Sequence, residues 1–470
     1  ASMPEIVVIS SACLLLLIGL FLRNGKKHII AYLSLIVILV AAGETLRLSG
    51  GNIQVFDRMF AVDGFSIFFK MLFYLSTALC ILLSINYAKI EDIEHSEYYI
   101  LMLFALSGMM IMASATDLIS IYTGLELMAI SVYVLTGFMK GSARSNEAAM
   151  KYIILGAVSS GILIYGISLV YGITGTTQLK DIANILSNQA SGDHSLILAI
   201  IFLVAGFGFK VAAVPFHMWA PDVYEGAPTP VTAFMSVGPK AAAFAAFIRI
   251  FMDALAPVAT EWVTIIAVIS VLTMAIGSFV ALVQTNIKRM LAYSSIAHAG
   301  YGLLGFVAGG RDGIASVMLY MLIYTFMNIG IFGVVIVMRN GNFLGENIED
   351  YTGLAKANKG MALFMLIFLF SLAGIPPTAG FVAKFYIFMA LIQKGFISLA
   401  VIAALISAVS AYFYIRIVML MYMKDPIHEF DLAHTTATRL TLAIALFGTI
   451  VIGILPVWFI DIAQRAVFFW

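Results

Sequence analysis

The chain has 470 residues, 62% hydrophobic and 11% charged, with a formal net charge of +1. Soluble domains are about 45–50% apolar and about 25% charged, so a lipid bilayer has to absorb the excess. A near-neutral chain carries no electrostatic footprint for nucleic acid. Its two cysteines, Cys13 and Cys80, cannot by themselves hold an iron–sulfur cluster, which needs about four thiolates.

Apolar runs near 20 residues, long enough for about 30 Å of hydrocarbon, fall in chain order at 4–22, 28–47, 62–87, 98–115, 121–139, 148–173, 196–217, 229–254, 262–283, 290–309, 313–338, 359–393, 395–423 and 436–460. They predict an all-α polytopic membrane protein with about 14 transmembrane helices. The first run could pass for a signal peptide. However, its basic cluster (Arg23, Lys26, Lys27) follows the run, and no small-residue cleavage site is present, so it reads as a spanning helix. Ala1 and Ser2 ahead of Met3 read as an addition before the natural start.

The seventh and twelfth runs contain helix breakers, Val214-Pro215 and Gly374-Ile375-Pro376-Pro377. One such break is as readily a proline kink as anything else. Two breaks, five helices apart and each near a lysine, favour an ion pathway built from inverted repeats.

Basic residues orient the chain. One set of loops holds Arg23, Lys26, Lys27, Lys89, Lys140, Arg144, Lys151, Lys288, Arg289, Arg339, Lys356, Lys359 and Lys424; the other holds mainly Arg47, Arg58, Lys180, Arg311, Lys394 and Arg465. The first side is expected to be cytoplasmic, with both termini outside.

Charges inside spans cost about 2.5–3.5 kcal/mol each on insertion scales. The clearest are Glu126, Lys210, Lys240 and Lys384. Counting at 1.5 Å per residue puts Glu126, Lys210 and Lys240 roughly 20–25 Å from the cytoplasmic ends of their helices. Lys384, ten residues before Lys394, lies nearer the outer face. A buried lysine titrates nearer neutrality than a solvated one, and a carboxylate close by reverses that, so such a set can pass protons. The competing reading is static ion pairs or snorkelling side chains. Snorkelling fits Arg249 and Arg416 better than the three lysines.

Weaker signals are His217, at the cytoplasmic end of the seventh span, and His298 in Tyr293-Ser294-Ser295-Ile296-Ala297-His298. That cluster supports a water chain or interhelical hydrogen bonding equally. Asp117 reads as an N-cap and Glu44 as interfacial. Lys70 has no evident partner and reads as peripheral. The chain has no GxGxxG after a strand, no phosphate loop and no hydrolytic triad, so transport energy has to come from an ion gradient or from partner subunits.

Two stretches are specific enough to place the chain in a family. Gly206-Phe-Gly-Phe-Lys210 through Pro215-Phe-His217-Met-Trp219-Ala-Pro-Asp222 to Pro228, and Gln284-Thr-Asn-Ile-Lys288-Arg289 through Tyr293-Ser294-Ser295 to His298, resemble the antiporter-like subunits of the proton-pumping NADH–quinone oxidoreductase, complex I. Related membrane-bound hydrogenases and multi-subunit sodium/proton antiporters share both motifs. In Ser371-Leu-Ala-Gly374-Ile-Pro376-Pro377-Thr-Ala-Gly380-Phe-Val-Ala-Lys384 the ionisable residue is lysine, similar to N-type members; M-type members carry glutamate there and L-type members aspartate.

The resemblance implies four segments: helices 1–3 (1–97), two inverted five-helix repeats (98–254 and 262–423) with broken helices 7 and 12, and a C-terminal helix 14 (436–470). It implies that Glu126 pairs with Lys210, that Lys240 is the central lysine and Lys384 the output lysine, with His217, His298, Ser294 and Ser295 in support. It further implies no cofactor or metal in this chain and no redox centre of its own; NADH, FMN, iron–sulfur clusters and quinone belong to partner subunits. M-type, K-type and J-type subunits are the expected neighbours, beside lipids and no nucleic acid. The expected location is the bacterial inner membrane, or alternatively the thylakoid. A sodium/proton antiporter or hydrogenase-type subunit and a non-conducting scaffold are the competing functions.

Overall fold

A computed structural model describes all residues except 23–25, 189–193, 340–344, 428–431, 433–434 and 468–470. Arg23 lies outside the described residues. In chain order the helices are α1 (Met3–Phe21), α2 (His28–Arg47), α3 (Gly64–Ile90), α4 (Ser96–Ser114), α5 (Leu118–Thr136), α6 (Ala143–Thr174), α7 (Leu179–Leu186), α8 (His194–Val211), α9 (Trp219–Gly226) and α10 (Thr229–Arg249). They continue as α11 (Ala259–Ala281), α12 (Ile287–Ala308), α13 (Gly310–Met338), α14 (Leu354–Ala357), α15 (Lys359–Ala373), α16 (Ala379–Gln393), α17 (Ile397–Met423), α18 (Thr436–Ile454) and α19 (Pro456–Ala466). A short antiparallel hairpin, β1 (Ile53–Val55) and β2 (Phe60–Val62), joins α2 to α3.

Among the described residues thirteen helices are long and apolar enough to cross a membrane. The half-helices α15 and α16 together take the place of one more. Short polar residues start many of them. Asp63 accepts from Ser66 N at 2.8 Å while Ser66 Oγ accepts from Asp63 N–H at 3.0 Å. Asp117, Asn286 and Asn358 accept from the first free N–H groups of α5, α12 and α15, as N-caps do. The last predicted run ends early: α18 stops at Ile454, and Pro456, which tolerates only a first-turn position, starts α19.

The bundle is layered by burial. Every residue of α10 is buried, as are nearly all of α12 and α13. Helices α1, α2, α6, α11 and α17 bury one stripe and expose large apolar side chains on the other. Close approach between helices is bought by glycine: a Cβ on Gly108 would stand 2.5 Å from Gly124 O of α5, and one on Gly277 of α11 would stand 2.6 Å from Ala297 N of α12.

Two charges contradict their sequence readings. Arg249 does not snorkel. It is 0% exposed, donates to Asp63 Oδ1 at 2.9 Å and Ala113 O at 3.0 Å, and lies over the Phe65 ring. Lys70 is not peripheral: it is 1% exposed and 2.6 Å from Glu5, itself buried on α1. Each partner lies far away in sequence, which is why neither pairing was visible there.

Candidate functional site

The first broken helix ends at Val211, six residues before the predicted span end. Ala212 adopts φ 60°, and its N–H returns to Phe209 O (3.0 Å) while Ala213 N–H returns to Gly208 O (2.7 Å). This paired turn closes a helix C-terminus and satisfies two of its last carbonyls. Trp219, at the start of α9, adds its indole N–H to Phe209 O at 2.9 Å and stacks on Tyr152 with ring centroids 4.4 Å apart. From across the bundle, the Thr273 hydroxyl of α11 accepts Val214 N–H at 2.9 Å.

Lys210 sits in the last turn of α8 and is buried. Its ammonium reaches Tyr133 OH at 3.3 Å and Ser160 Oγ at 3.5 Å. The Ser160 hydroxyl in turn donates to Glu126 Oε1 at 2.5 Å. Glu126 and Lys210 therefore meet through a serine and do not form the direct pair that the family resemblance implies. The α6 helix lies between them and puts Ser160 in the gap.

Four rings in contact lead inward: Tyr133, Tyr152, Trp219 and Tyr224, with successive centroids 4.6, 4.4 and 6.2 Å apart. The Tyr224 hydroxyl is 3.5 Å from Ser295 Oγ. Ser295 holds Lys240, whose ammonium donates to the serine carbonyl at 2.8 Å and to its hydroxyl at 2.5 Å. One residue back, Ser294 bonds the Tyr414 hydroxyl of α17. Tyr414 OH lies 3.2 Å from His298 Nε2, and Tyr320 OH lies 2.6 Å from His298 Nδ1. A neutral imidazole donates at one nitrogen and accepts at the other, so this histidine joins two hydroxyls. The His298 ring also lies 6.1 Å from that of Tyr301.

At the second break, Gly374 adopts φ 86°. Gly374 N–H returns to Ser371 O and Ile375 N–H to Phe370 O, both at 3.0 Å, the same paired turn as at Ala212. Here the next two carbonyls are also bonded: Lys384, carried on α16, donates to Leu372 O and Ala373 O, each at 3.1 Å, and to Ser407 Oγ of α17 at 2.9 Å. The Tyr301 ring lies 5.0 Å from the ammonium.

The structure thus brings the half-buried Glu126 and the buried Lys210, Lys240, Lys384, Ser294, Ser295 and His298 into one row. His217 is not part of it. It lies inside the first break, not at the end of the span, and its Nδ1 has no hydrogen-bond partner among the described residues. Sequence reasoning missed the intervening hydroxyls, Ser160, Ser407, Tyr133, Tyr224, Tyr301, Tyr320 and Tyr414. Nothing in the sequence separates them from the other serines and tyrosines of apolar helices. Among the described residues, no three His, Cys, Asp or Glu side chains come together as a metal site.

At the end of the bundle that carries the larger basic set, ions join the two halves. Asp222 of α9 accepts from Lys151 of α6 at 2.8 Å and from Arg289 of α12 at 2.7 Å. Partial burial works against its charge, but the two cations prevail and hold the Asp222 carboxyl below the ordinary carboxylate range. Arg144 and Arg289 share Glu225 at 2.6 and 3.0 Å.

Residues 115–411 match the family described as NADH:quinone oxidoreductase/Mrp antiporter, TM. The chain is 59% identical over 468 residues to NADH-quinone oxidoreductase subunit N 2 of Rhizobium meliloti, covering 100% of this chain and 97% of that one. It superposes on a chain of respiratory complex I from Thermus thermophilus with TM-score 0.83 at 30% identity, covering 98% and 99% of the two. A chain of the Mrp complex from Dietzia sp. gives TM-score 0.86 at 22% identity, covering 99% and 97%; at that identity the likeness is one of fold alone.

Proposed function

The chain belongs to the antiporter-like membrane-arm subunits of NADH–quinone oxidoreductase, among the N-type members, and from that premise we propose that it carries protons across the membrane along the buried row from Glu126 to Lys384. One observation carries the reading. Three lysines within apolar helices are each held by hydroxyls or carbonyls and, among the described residues, by no direct carboxylate partner. A static structural lysine would be expected to pair with an acid, as Lys70 does with Glu5 at 2.6 Å.

In this reading Glu126 sets the proton affinity of Lys210 through Ser160, Lys240 is the central carrier and Lys384 the outlet. Ser294, Ser295 and His298 form the link between the last two. Quinone reduction in partner subunits supplies the energy: moving one charge against 100 mV takes about 2.3 kcal/mol, and a change in one close charge interaction is of that order. NADH, FMN, iron–sulfur clusters and quinone are held by those partners, and this chain carries no redox centre. Its neighbours are M-type, K-type and J-type subunits, in a bacterial inner membrane with both termini outside and the basic loops cytoplasmic.

In this reading residues 98–254 and 262–423 are two inverted units; besides the short α7 and α14, each holds three continuous long helices, one broken helix and one further long helix. The shared turn at Ala212 and Gly374 and the glycine contacts that open each unit support this division.

The test is the number of protons moved per NADH oxidised by inverted vesicles carrying the assembled complex. Lys384→Ala is expected to lower that ratio. A full ratio in this variant rejects the reading in favour of a non-conducting scaffold.

A further inference from the structure

A charged lysine has three N–H donors and no acceptor. Lys384 has three acceptors in place, Leu372 O and Ala373 O at 3.1 Å and Ser407 Oγ at 2.9 Å. The site is therefore filled by the ammonium form, with every donor used. The two carbonyls belong to the last turn of α15, where a positive charge also opposes the negative end of the helix.

Loss of the proton changes this count. A neutral amine keeps two donors and gains one lone pair. Its two donors suffice for the two carbonyls. The lone pair then needs a donor at the third position, and a carbonyl there could never provide one. Ser407 can, because a hydroxyl both accepts and donates.

We propose that Ser407 is the proton relay at Lys384, passing the transported proton onward by inverting its hydroxyl. The inference rests on the reading that Lys384 carries that proton. The step balances as follows. The Lys384 N–H bond directed at Ser407 breaks, and its proton forms a new O–H bond on Ser407. The original Ser407 O–H bond breaks, and that proton passes to a water on the Lys394 side. The amine is left neutral, donating to Leu372 O and Ala373 O and accepting O–H from Ser407. No bond to α15 is lost, so the half-helix stays closed while the charge leaves.

Position agrees with this role. Ser407 is only partly buried and lies ten residues into α17 from Ile397, roughly 15 Å along the helix. Ser410 on the same helix is a matched control: its hydroxyl goes to the Ser407 carbonyl at 2.7 Å.

The experiment compares protons moved per NADH oxidised in vesicles of the assembled complex, for Ser407→Ala, Ser407→Thr, Ser410→Ala and Lys384→Ala. The relay predicts that Ser407→Ala falls to the Lys384→Ala level, while Ser407→Thr, which keeps the hydroxyl, and Ser410→Ala stay at the wild-type ratio. A full ratio in Ser407→Ala beside a lowered one in Lys384→Ala overturns the relay alone. A full ratio in Lys384→Ala overturns the proposed function and the relay with it. A loss in Ser410→Ala equal to that in Ser407→Ala assigns the effect to helix packing and overturns the relay. Should alanine at 407 prevent assembly, Ser407→Cys, close in shape with a weak donor, replaces it: a lowered ratio supports the relay and a full ratio overturns it.

Discussion

The two helix breaks share one backbone design and use their lysines in opposite ways. Both α8 and α15 end in the same paired turn, at Ala212 and at Gly374. At the first, Lys210 is on the helix that ends and turns away to neighbouring hydroxyls, while the Trp219 indole N–H adds to the carbonyl end. At the second, Lys384 is on the helix that begins and reaches back to bond the carbonyl end itself. The charge of Lys210 is thus dispensable to its break, and the charge of Lys384 is built into its own. Under the proposed function, a change of charge at Lys210 leaves its break bonded as before, whereas one at Lys384 needs a device that keeps the break closed.

The largest expected effect tests that asymmetry directly. Methionine roughly preserves lysine's volume and removes its donors. Lys384→Met leaves two buried carbonyls unbonded, at roughly 1–3 kcal/mol each. Lys210→Met leaves hydroxyls, which retain other partners such as Glu126 for Ser160. Denaturant or thermal unfolding of the purified complex should show the greater loss for Lys384→Met; equal losses would dissolve the contrast.

A smaller effect, of opposite sign at the two turns, sharpens it. Gly374→Ala puts a Cβ at φ 86° and 3.1 Å from Lys384 Cδ, which should cost about 1–2 kcal/mol. Ala212 already has φ 60°, so Ala212→Gly should be neutral or stabilising by up to about 1 kcal/mol. The same unfolding measurement checks both, and a destabilising Ala212→Gly would show that the turns are not equivalent.

The smallest concerns Asp222, which ties the second half of the first break to α6 and α12. Its carboxyl is held below the ordinary range, so its stabilising contribution is complete at neutral pH and fades only as pH falls below about 4. Asp222→Asn should lower stability by about 0–1 kcal/mol at pH 7. The gap from wild type should stay constant down to about pH 5 and close in stronger acid. A gap that closes on raising the pH contradicts the assignment.

Much of the scaffold was legible in the sequence. Runs of about twenty apolar residues permit only helices in a bilayer, and the spans fall within a few residues of the observed helices. The breaks lie beside the prolines of their runs, Pro215 and Pro376-Pro377, but proline alone did not decide them, since α10 continues through Pro239. The buried charges were legible because each interrupts an apolar run. Lys70 and Arg249 were misread for one reason: their partners, Glu5 on α1 and Asp63 just ahead of α3, lie far away in sequence. Glu126 and Lys210 were read as a direct pair, whereas Ser160 stands between them and bonds both.

The sequence alone determined the class of molecule, the approximate course of its long apolar helices and which ionisable side chains interrupt them. Hydropathy and backbone geometry act locally, so they can be read locally. What each charge touches was decided only by tertiary structure. Lys210 and Lys384 are both buried lysines beside a broken helix, and no local rule separates them. Packing gave one a pair of hydroxyls and the other a helix end with Ser407, because the acceptor within reach of an ammonium depends on which helices lie alongside.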